Sequence, residues 1–235
     1  MSATVPPEYV GLWRRTRITR ASGKSDATTQ VWWFQSPRFH IDLRIPAGRP
    51  AVASAAALGQ LAASPFAAYA AQLAFAGETI VGGARCEWHP EIGFPFLCTD
   101  VDAGSMRFDA PDRLHEAGLD GSYEEDWERI EAGPMRGLRL ESGSAVAFLV
   151  IGQHWLALAH GAPDAAFPAM AANGQPEWSE FCVAERAPDQ SWRIVACNNP
   201  WREGGALALD GQLGRGAMVM LPTPFAQHWT VTDTA

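Results

Sequence analysis

The sequence lacks a surplus of basic residues, and this excludes the partners that need one. It carries 18 Lys and Arg against 26 Asp and Glu, which gives a formal net charge of -8 and an isoelectric point near 5.2. Nucleic acids and anionic membranes are bound by basic surfaces. We therefore expect a small-molecule ligand or a protein partner, with no nucleic acid and no membrane.

Long hydrophobic runs are also missing. Met1 to Val10 lack a basic stretch followed by an apolar core, so they do not look like a secretory signal. The weakly polar stretch Ala51 to Ala76 is mostly Ala and is interrupted by Gly59 and Pro65, which makes it too weak for a membrane span. These features predict a cytoplasmic protein.

Cysteine is scarce, and its spacing is not that of a metal or redox motif. Cys86, Cys98, Cys182 and Cys197 include no Cys-x-x-Cys pair, so we expect buried, reduced thiols. The histidines lack the spacing of zinc hydrolases, and neither a phosphate-binding loop nor a Gly-x-Ser-x-Gly elbow occurs. The sequence therefore predicts no metal site and no cofactor, and its motifs define no reaction.

What the chain does contain is alternation. Its 235 residues, 47 % of them hydrophobic, are enough for one or two domains with a sizeable core. Short alternating runs closed by Gly, Pro, Asp or Asn are typical of antiparallel strands. They predict an all-β protein whose antiparallel strands form barrels or sandwiches. The predicted strands are Leu12 to Arg20, Thr28 to Gln35, Phe39 to Ile45, Thr79 to Trp88, Ser105 to Asp109, Ser122 to Glu131, Met135 to Leu140, Ala145 to Ile151, His154 to His160, Trp178 to Arg186, Ser191 to Cys197, Met218 to Leu221 and His228 to Thr232.

Two segments depart from this pattern. Ala51 to Ala74 favours a helical insertion, which we expect to pack across a barrel mouth, and Asp164 to Ala172 favours a short helical turn. Gly133-Pro134 lies near the middle of the chain and is the best candidate boundary. It predicts an N-terminal barrel lobe over 1–133 and a C-terminal barrel lobe over 134–235.

One hairpin can be built explicitly around Gly152-Gln153. A two-residue turn there sets Leu149 opposite Leu156 and leaves both strand faces apolar, as expected of strands buried on both sides. His154 and His160 share a face but lie about 20 Å apart by strand rise, too far to share a metal. We expect both to be structural and at least one to be buried with a hydrogen-bond partner.

A second hairpin is predicted around Pro188-Asp189. Its turn makes Cys182 and Cys197 diagonal neighbours on one face, together with Arg193. The opposite face is apolar and is the expected core. The cysteine face is therefore expected to look outward or to line a mixed cavity.

The candidate site is predicted from the tryptophans and from two strands that carry charged side chains beside apolar or aromatic ones. Ten tryptophans either line a small-molecule cavity or fill the ends and interior of barrels. His40, Asp42 and Arg44 share one face of their strand, which faces either solvent or the lumen. On the strand Ser122 to Glu131, Glu125 shares a face with aromatic rings. If that face is buried, Glu125 must be paired, with Arg129 or Arg44 as candidate partners, or must contact a ligand.

Three functions are compatible with these residues. The first is a β-barrel protein that binds a small, partly apolar ligand in an aromatic-lined cavity. The second is an acid-base enzyme, an isomerase or a hydrolase, with Glu125 or Asp42 as base and a histidine as acid. The third is a protein-binding adaptor. The candidate wall residues for the ligand are Trp13, Trp32, His40, Asp42, Arg44, Tyr123, Glu125 and Trp127.

Short motifs carry a resemblance to known families. Gly11-Leu12-Trp13 resembles the Gly-x-Trp start of lipocalins and other calycins, in which an Arg from the last strand packs on this Trp. The last predicted strand here, His228 to Thr232, contains no Arg. A longer series of motifs covers roughly residues 9 to 131: Trp32-Trp33-Phe34-Gln35, Ile41-Asp42-Leu43-Arg44-Ile45-Pro46, Phe75-Ala76-Gly77, Cys86-Glu87-Trp88-His89 and Tyr123-Glu124-Glu125-Asp126-Trp127. In this order the motifs resemble the lipocalin-like family typified by the fungal casein-kinase-interacting Hri protein. That resemblance implies two calycin-type barrel lobes and a cytoplasmic protein without assigned activity or catalytic residues.

Overall fold

A computed structural model of the chain describes residues 4–97, 101–165, 167–168, 176–211, 213–221 and 228–235. Nearly all of its regular structure is antiparallel β, which confirms the predicted all-β class. The strands are β1 (Gly11–Arg20), β2 (Ser25–Asp26), β3 (Gln30–Gln35), β4 (Phe39–Ile45), β5 (Leu73–Gly82), β6 (Arg85–Phe94), β7 (Asp102–Ala110), β8 (Arg113–Gly118), β9 (Tyr123–Ala132), β10 (Arg136–Ser142), β11 (Ala145–Ile151), β12 (Trp155–Gly161), β13 (Glu180–Arg186), β14 (Trp192–Cys197), β15 (Ala206–Leu207), β16 (Asp210–Gly211), β17 (Met218–Met220) and β18 (His228–Thr234). The helices are α1 (Ala55–Leu58) and α2 (Ala63–Ala70), and a 3-10 turn covers Pro200–Arg202.

The first sheet closes on itself. Its order is β2-β1-β3-β4-β5-β6-β7-β8-β9, and pairing of β1 with β9 completes an eight-stranded barrel. A barrel of eight strands has an interior just wide enough to be filled by side chains or to hold one small ligand. A bulge between Arg15 and Arg17 interrupts the alternation of β1, so that Arg15 and Ile18 are both buried.

The two ends of this barrel differ. At one end the N-terminal segment covers the lumen: the backbone N–H of Val5 donates to the carbonyl of Pro37 at 2.8 Å, and the ring of Tyr9 meets Phe108 edge to face at 4.9 Å. We call the opposite end the mouth. There β4 ends at Ile45, β7 begins at Asp102 and β9 begins at Tyr123.

The second sheet is an open half-barrel. Its order is β15-β14-β13-β12-β11-β10-β18-β17-β16, with the two-residue strands β15 and β16 at its edges. The sequence predicts a second barrel lobe. In the part of the chain that the structure describes, the sheet ends on these two short strands instead of closing. The first sheet ends at Ala132 and the second begins at Arg136, on either side of Gly133-Pro134. Division into lobes 1–133 and 134–235 stays a prediction.

A shared core joins the two sheets. The outer face of the barrel, including Phe34 and Ile41, packs against Phe148 and Val150 of β11. The other face of the second sheet forms a separate cluster around Leu149 and its neighbours. Strands β11 and β12 are therefore buried on both sides, as their two apolar faces predict.

Both predicted hairpin registers are wrong by two residues over at least part of their length. In β11–β12, Leu149 pairs with Leu158 and Ile151 with Leu156, which leaves four residues, 152–155, between the last paired positions. The carboxylate of Glu131 accepts the backbone N–H groups of Gln153 and His154, and this long-range contact stabilises the longer loop. Because the shift is even, the faces of β11 and β12 are unchanged.

In β13–β14, Cys182 lies directly opposite Cys197, and a bulge follows between Val183 and Ala184. The predicted diagonal arrangement is therefore wrong. The bulge also moves Trp192 and Ile194 to the cysteine side, where both cysteines are buried in the second cluster. The cysteine face is core, and not an outward face. Cys98 lies outside the described residues.

Two further strand predictions fail for local reasons. Thr79 to Trp88 is not one strand, because the chain turns at Gly83, whose φ of +63° suits glycine, and so belongs to β5 and β6. The strand β8, only six residues long, was not predicted.

The helical insertion exists but does not cross the barrel mouth. Ser54 caps α1 by accepting the N–H of Ala57 at 3.1 Å. Leu58 and Tyr69 are buried in the core between the sheets, where Tyr69 meets the ring of Phe94 edge to face. Much of the predicted turn Asp164 to Ala172 lies outside the described residues. Neither helix within those residues is long and apolar enough to span a membrane.

Candidate functional site

The mouth of the N-terminal barrel gathers two guanidinium and four carboxyl groups. These groups interact electrostatically with one another, and most of them are buried. Strands β1, β4, β7, β8 and β9 each contribute at least one of them. The residues are Arg15, Asp42, Arg44, Asp102, Glu116 and Glu125.

Glu125 forms a buried ion pair. Its Oε1 accepts Nη1 of Arg15 at 2.5 Å, and the two side chains are only 3 % and 6 % exposed. This confirms that Glu125 faces inward and is held by a cation. The partner was expected to be Arg129 or Arg44. It is Arg15 instead, because Arg15 lies two residues from Trp13 on the inner face of β1 and directly opposite Trp127.

Asp42 and Arg44 form a second pair on one strand face. Arg44 Nε donates to Asp42 Oδ1 at 2.7 Å, and its guanidinium also covers the ring of Phe75. Burial raises the pKa of Asp42, although the neighbouring Arg44 acts in the opposite direction. The polar face of β4 thus faces the lumen rather than solvent. Arg44 reaches toward Asp102 of β7, with 3.8 Å between the charged atoms.

Among the four carboxyl groups of the mouth, Glu116 is the one that forms no ion pair with a guanidinium of the described residues. It accepts hydrogen bonds from the hydroxyl of Tyr123 at 2.7 Å and from Nε1 of Trp127 at 3.1 Å. Its strand neighbour directly opposite is Glu125. Burial, followed by the negative charge of Glu125, raises the pKa of Glu116 to about 8. Glu116 is therefore protonated at neutral pH, beside a carboxylate that is held by Arg15.

Two glycines make room for this arrangement. A Cβ on Gly104 would lie 2.8 Å from Cγ of Glu116, and a Cβ on Gly118 would lie 2.7 Å from the ring of Tyr123. Real Cβ atoms essentially never show such distances. The missing side chains let Glu116 and Tyr123 lie flat against the neighbouring strands.

Tryptophans fill the lumen below the mouth. Trp33 stacks on Trp13 at 6.3 Å and meets Trp88 and Trp127 edge to face at 5.5 and 5.7 Å. The rings pack on one another. This favours the interpretation that the tryptophans fill the barrel interior over the interpretation that they line a deep cavity. Trp13 and Trp127 thus lie in the lumen as expected.

Arg129 packs over Trp13, with 4.4 Å between the guanidinium and the ring centroid. This is the Arg-on-Trp contact that the lipocalin resemblance implies. The expectation placed it on the last strand of the chain, where it is missing. The barrel closes on β9, however, and β9 carries Arg129.

Two predicted wall residues do not belong to the mouth. Trp32 points to the opposite face of β3 from Trp33 and meets Trp155 in the core between the sheets, because strand neighbours alternate. His40 is in the lumen but at the far end of β4, where Nδ1 contacts Oγ1 of Thr79 at 3.1 Å. Burial lowers the pKa of His40 to about 3, so it is neutral.

Sequence reasoning missed Arg15, Asp102 and Glu116. Along β8, Leu114, Glu116 and Gly118 are buried and alternate with more exposed residues, but the short run Arg-Leu-His-Glu-Ala-Gly does not show this alternation as a hydrophobic pattern. For Arg15 a signal existed, because Trp13 and Arg15 alternate with Leu12 and Arg14 and therefore share a strand face.

Comparison with known proteins finds a similar fold but indicates no function. No family model and no curated protein matches the chain. The crystal structure of an uncharacterized protein from Saccharomyces cerevisiae is similar, with a TM-score of 0.62 and 12 % identity over 95 % of this chain and 98 % of that one. At this identity the likeness shows the fold alone. It supports the β-barrel architecture and names no family.

Proposed function

We propose that the N-terminal barrel binds a small ligand at its mouth, and that this ligand joins a basic group, such as an amine, to an apolar part. The binding residues are Asp42, Arg44, Glu116, Tyr123 and Glu125, with Asp102 at the entrance. Trp127 supports them from below through its hydrogen bond to Glu116.

The observation that carries the proposal is the pair of opposed buried carboxyl groups. Like charges directly opposite on neighbouring strands destabilise a sheet. The barrel nevertheless places Glu116 opposite Glu125 and gives a close guanidinium only to Glu125. A ligand cation beside Glu116 would favour its ionised form and form a charge-assisted hydrogen bond with it.

Charge and exposure define the ligand further. Four carboxyl groups face two guanidinium groups, so an anionic ligand would meet excess like charge. Phe75 and the partly buried ring of Tyr123 offer apolar surface beside these groups. Because the tryptophans fill the space below, the ligand would occupy the mouth and not the whole lumen.

A matched set of three probes tests this proposal. 2-Phenylethylamine, phenylacetate and ethylbenzene share one ring and differ in charge. We expect the amine to bind more tightly than the other two by roughly tenfold or more, measured by tryptophan fluorescence and calorimetry. Since Glu116 ionises on binding, calorimetry in buffers of different ionisation enthalpy should show release of up to about one proton at neutral pH.

Variants locate the effect. Glu116→Gln should remove the proton release and most of the preference for the amine. Glu128→Gln is the matched control, because Glu128 lies on the same strand but pairs with Arg113 at the surface. Equal binding of the three probes to the wild type would overturn the proposal, as would unchanged proton release in Glu116→Gln.

A second candidate is acid-base catalysis at the same place. Two neighbouring carboxyl groups in different protonation states are a common arrangement of general acid and general base. Here Glu116 would be the acid and Glu125 the base, in place of the predicted histidine acid. Proton exchange at a substrate carbon, followed by NMR in deuterated water and lost in Glu116→Gln, would distinguish turnover from binding.

A further inference from the structure

A separate cluster of ligating atoms lies in the second sheet. A carboxylate oxygen of Glu180 and the Sγ atoms of Cys182 and Cys197 are all within 4.8 Å of one another, and all three residues are buried. Two sulfurs and one oxygen in a compact group are the ligand types that bind zinc. We propose that Glu180, Cys182 and Cys197 form a zinc site.

Strand register brings the two sulfurs together. The N–H of Asn198 donates to the carbonyl of Phe181 at 3.1 Å, which makes that pair a hydrogen-bonded one. Its neighbour, Cys182 opposite Cys197, is then a non-hydrogen-bonded pair, in which side chains approach most closely. The sulfurs lie 2.9 Å apart. Zinc-bound thiolates in a tetrahedron are about 3.7 Å apart, since each Zn–S bond is about 2.3 Å. The pair must therefore open by less than an ångström, which rotation of the two side chains can supply.

The third ligand is already oriented by its neighbours. Asn199 Nδ2 donates to Glu180 Oε2 at 2.8 Å, while His160 Nε2 and Arg202 Nε lie 3.3 and 3.2 Å from Oε1. Outer contacts of this kind orient metal ligands and raise affinity.

Charge balance assigns a role to Arg202. Each thiol must release its proton to solvent when its sulfur binds the ion, because the thiolate is the ligand. Two thiolates and one carboxylate around Zn²⁺ leave one net negative charge. The guanidinium of Arg202, which is partly exposed at the edge of the cluster, can neutralise that charge. Three protein ligands leave a fourth position for water.

The spacing rules applied to the sequence would not find this site. Cys182 and Cys197 are separated by a whole hairpin, and Glu180 precedes Cys182 by two residues on the same strand face. Only the register of β13 and β14 places the three side chains together. The proposal therefore departs from the expectation of no metal site.

The test uses Co²⁺ and Zn²⁺ with reduced full-length protein. Co²⁺ should give the sulfur-to-cobalt charge-transfer band and the visible bands of a tetrahedral site, and Zn²⁺ should abolish them by displacement. Cys182→Ser and Cys197→Ser should lose the charge-transfer band or most of its intensity, and Glu180→Gln should weaken zinc binding roughly tenfold or more. Cys86→Ser is the control, because Cys86 is buried in the barrel, among different side chains.

A wild-type measurement covers the case in which a serine variant does not fold. Zinc should slow alkylation of Cys182 and Cys197, read by peptide mass spectrometry, without changing the rate at Cys86. Absence of the band in protein with free thiols would overturn the proposal. So would equal alkylation rates with and without zinc, or a disulfide between Cys182 and Cys197 that persists in reductant.

Discussion

Replacing Glu125 by Gln should be costly, and its neighbour Asp126 offers a direct comparison. Both carboxylates pair with arginines of β1. The Arg15–Glu125 pair is buried at 6 % and 3 % exposure, whereas the Arg17–Asp126 pair is 59 % and 39 % exposed. Removing one partner of a buried pair leaves the other charge uncompensated and costs about 3 to 5 kcal/mol. Losing an exposed pair costs roughly 0 to 1 kcal/mol.

Glu116 can reduce the cost of Glu125→Gln. Loss of the negative charge at position 125 removes one of the two main causes that raise the pKa of Glu116. Glu116 then ionises more readily and can compensate Arg15 from the opposite strand position. The double variant Glu116→Gln with Glu125→Gln removes this compensation. It should therefore be less stable than the sum of the two single variants implies.

Urea unfolding and thermal melts measure these differences. For a chain of this length, 3 to 5 kcal/mol corresponds to a fall in Tm of roughly 6 to 20 °C, and Asp126→Asn should shift Tm by no more than about 4 °C. Folded spectra confirm that each variant retains its barrel. If Glu125→Gln and Asp126→Asn melt alike and near the wild type, the buried pair does not exist and the mouth must be described anew.

Three further predictions concern the same barrel. The unfolded chain loses the Glu116 proton near pH 4.5, whereas the folded protein loses it near pH 8. The stability that this group contributes is therefore complete below pH 4.5 and is lost as the pH rises toward 8. Across that range the Tm of the wild type should fall relative to that of Glu116→Gln. Gly104→Ala should cost about 1 to 3 kcal/mol in urea unfolding because its Cβ would meet Glu116, while Gly82→Ala, which has open space around it, is the control. Arg129→Met should cost about 0.5 to 2 kcal/mol of stability, because it loses the contact with Trp13. It should also speed proteolysis of the N-terminal segment, which Arg129 holds through the carbonyl of Glu8. Unchanged proteolysis would show that other contacts hold this segment.

Strand alternation predicts the orientation of a strand when one of its faces has a single character. On β4 alternation places the apolar series from Phe39 to Ile45 on one face and Asp42 on the other, but it leaves open which of the two faces is the lumen. On β9 three acids share the other face, which places Glu125 inside. These local patterns predict which side chains share a face, and for β9 they also predict which face is inside.

The rest depends on contacts between distant parts of the chain. β1 carries arginines at positions 14, 15, 17 and 20. Alternation from Trp13 points both Arg15 and Arg17 inward, and the bulge opposite β9 turns Arg17 to the surface and leaves Arg15 in the lumen. The β11–β12 loop is stabilised by Glu131, some twenty residues away in sequence. Neither contact leaves a local signal, and this is why the ion pairing and the β11–β12 register could not be predicted. The β13–β14 register departs because of the bulge between Val183 and Ala184.

The shared core divides the barrel wall into a stiff part and a compliant part. Strands β3 and β4 are backed by the second sheet, whereas the outer faces of β7, β8 and β9 carry charged residues such as Arg107 and Arg113. Backbone amides of β3 and β4 should therefore exchange with deuterated solvent far more slowly than those of β7 to β9. Asp42 belongs to the stiff wall and Glu116 to the compliant one. A molecule held between them would reduce the motion of the compliant strands, so slower exchange along β8 would report its arrival even without a change in average structure.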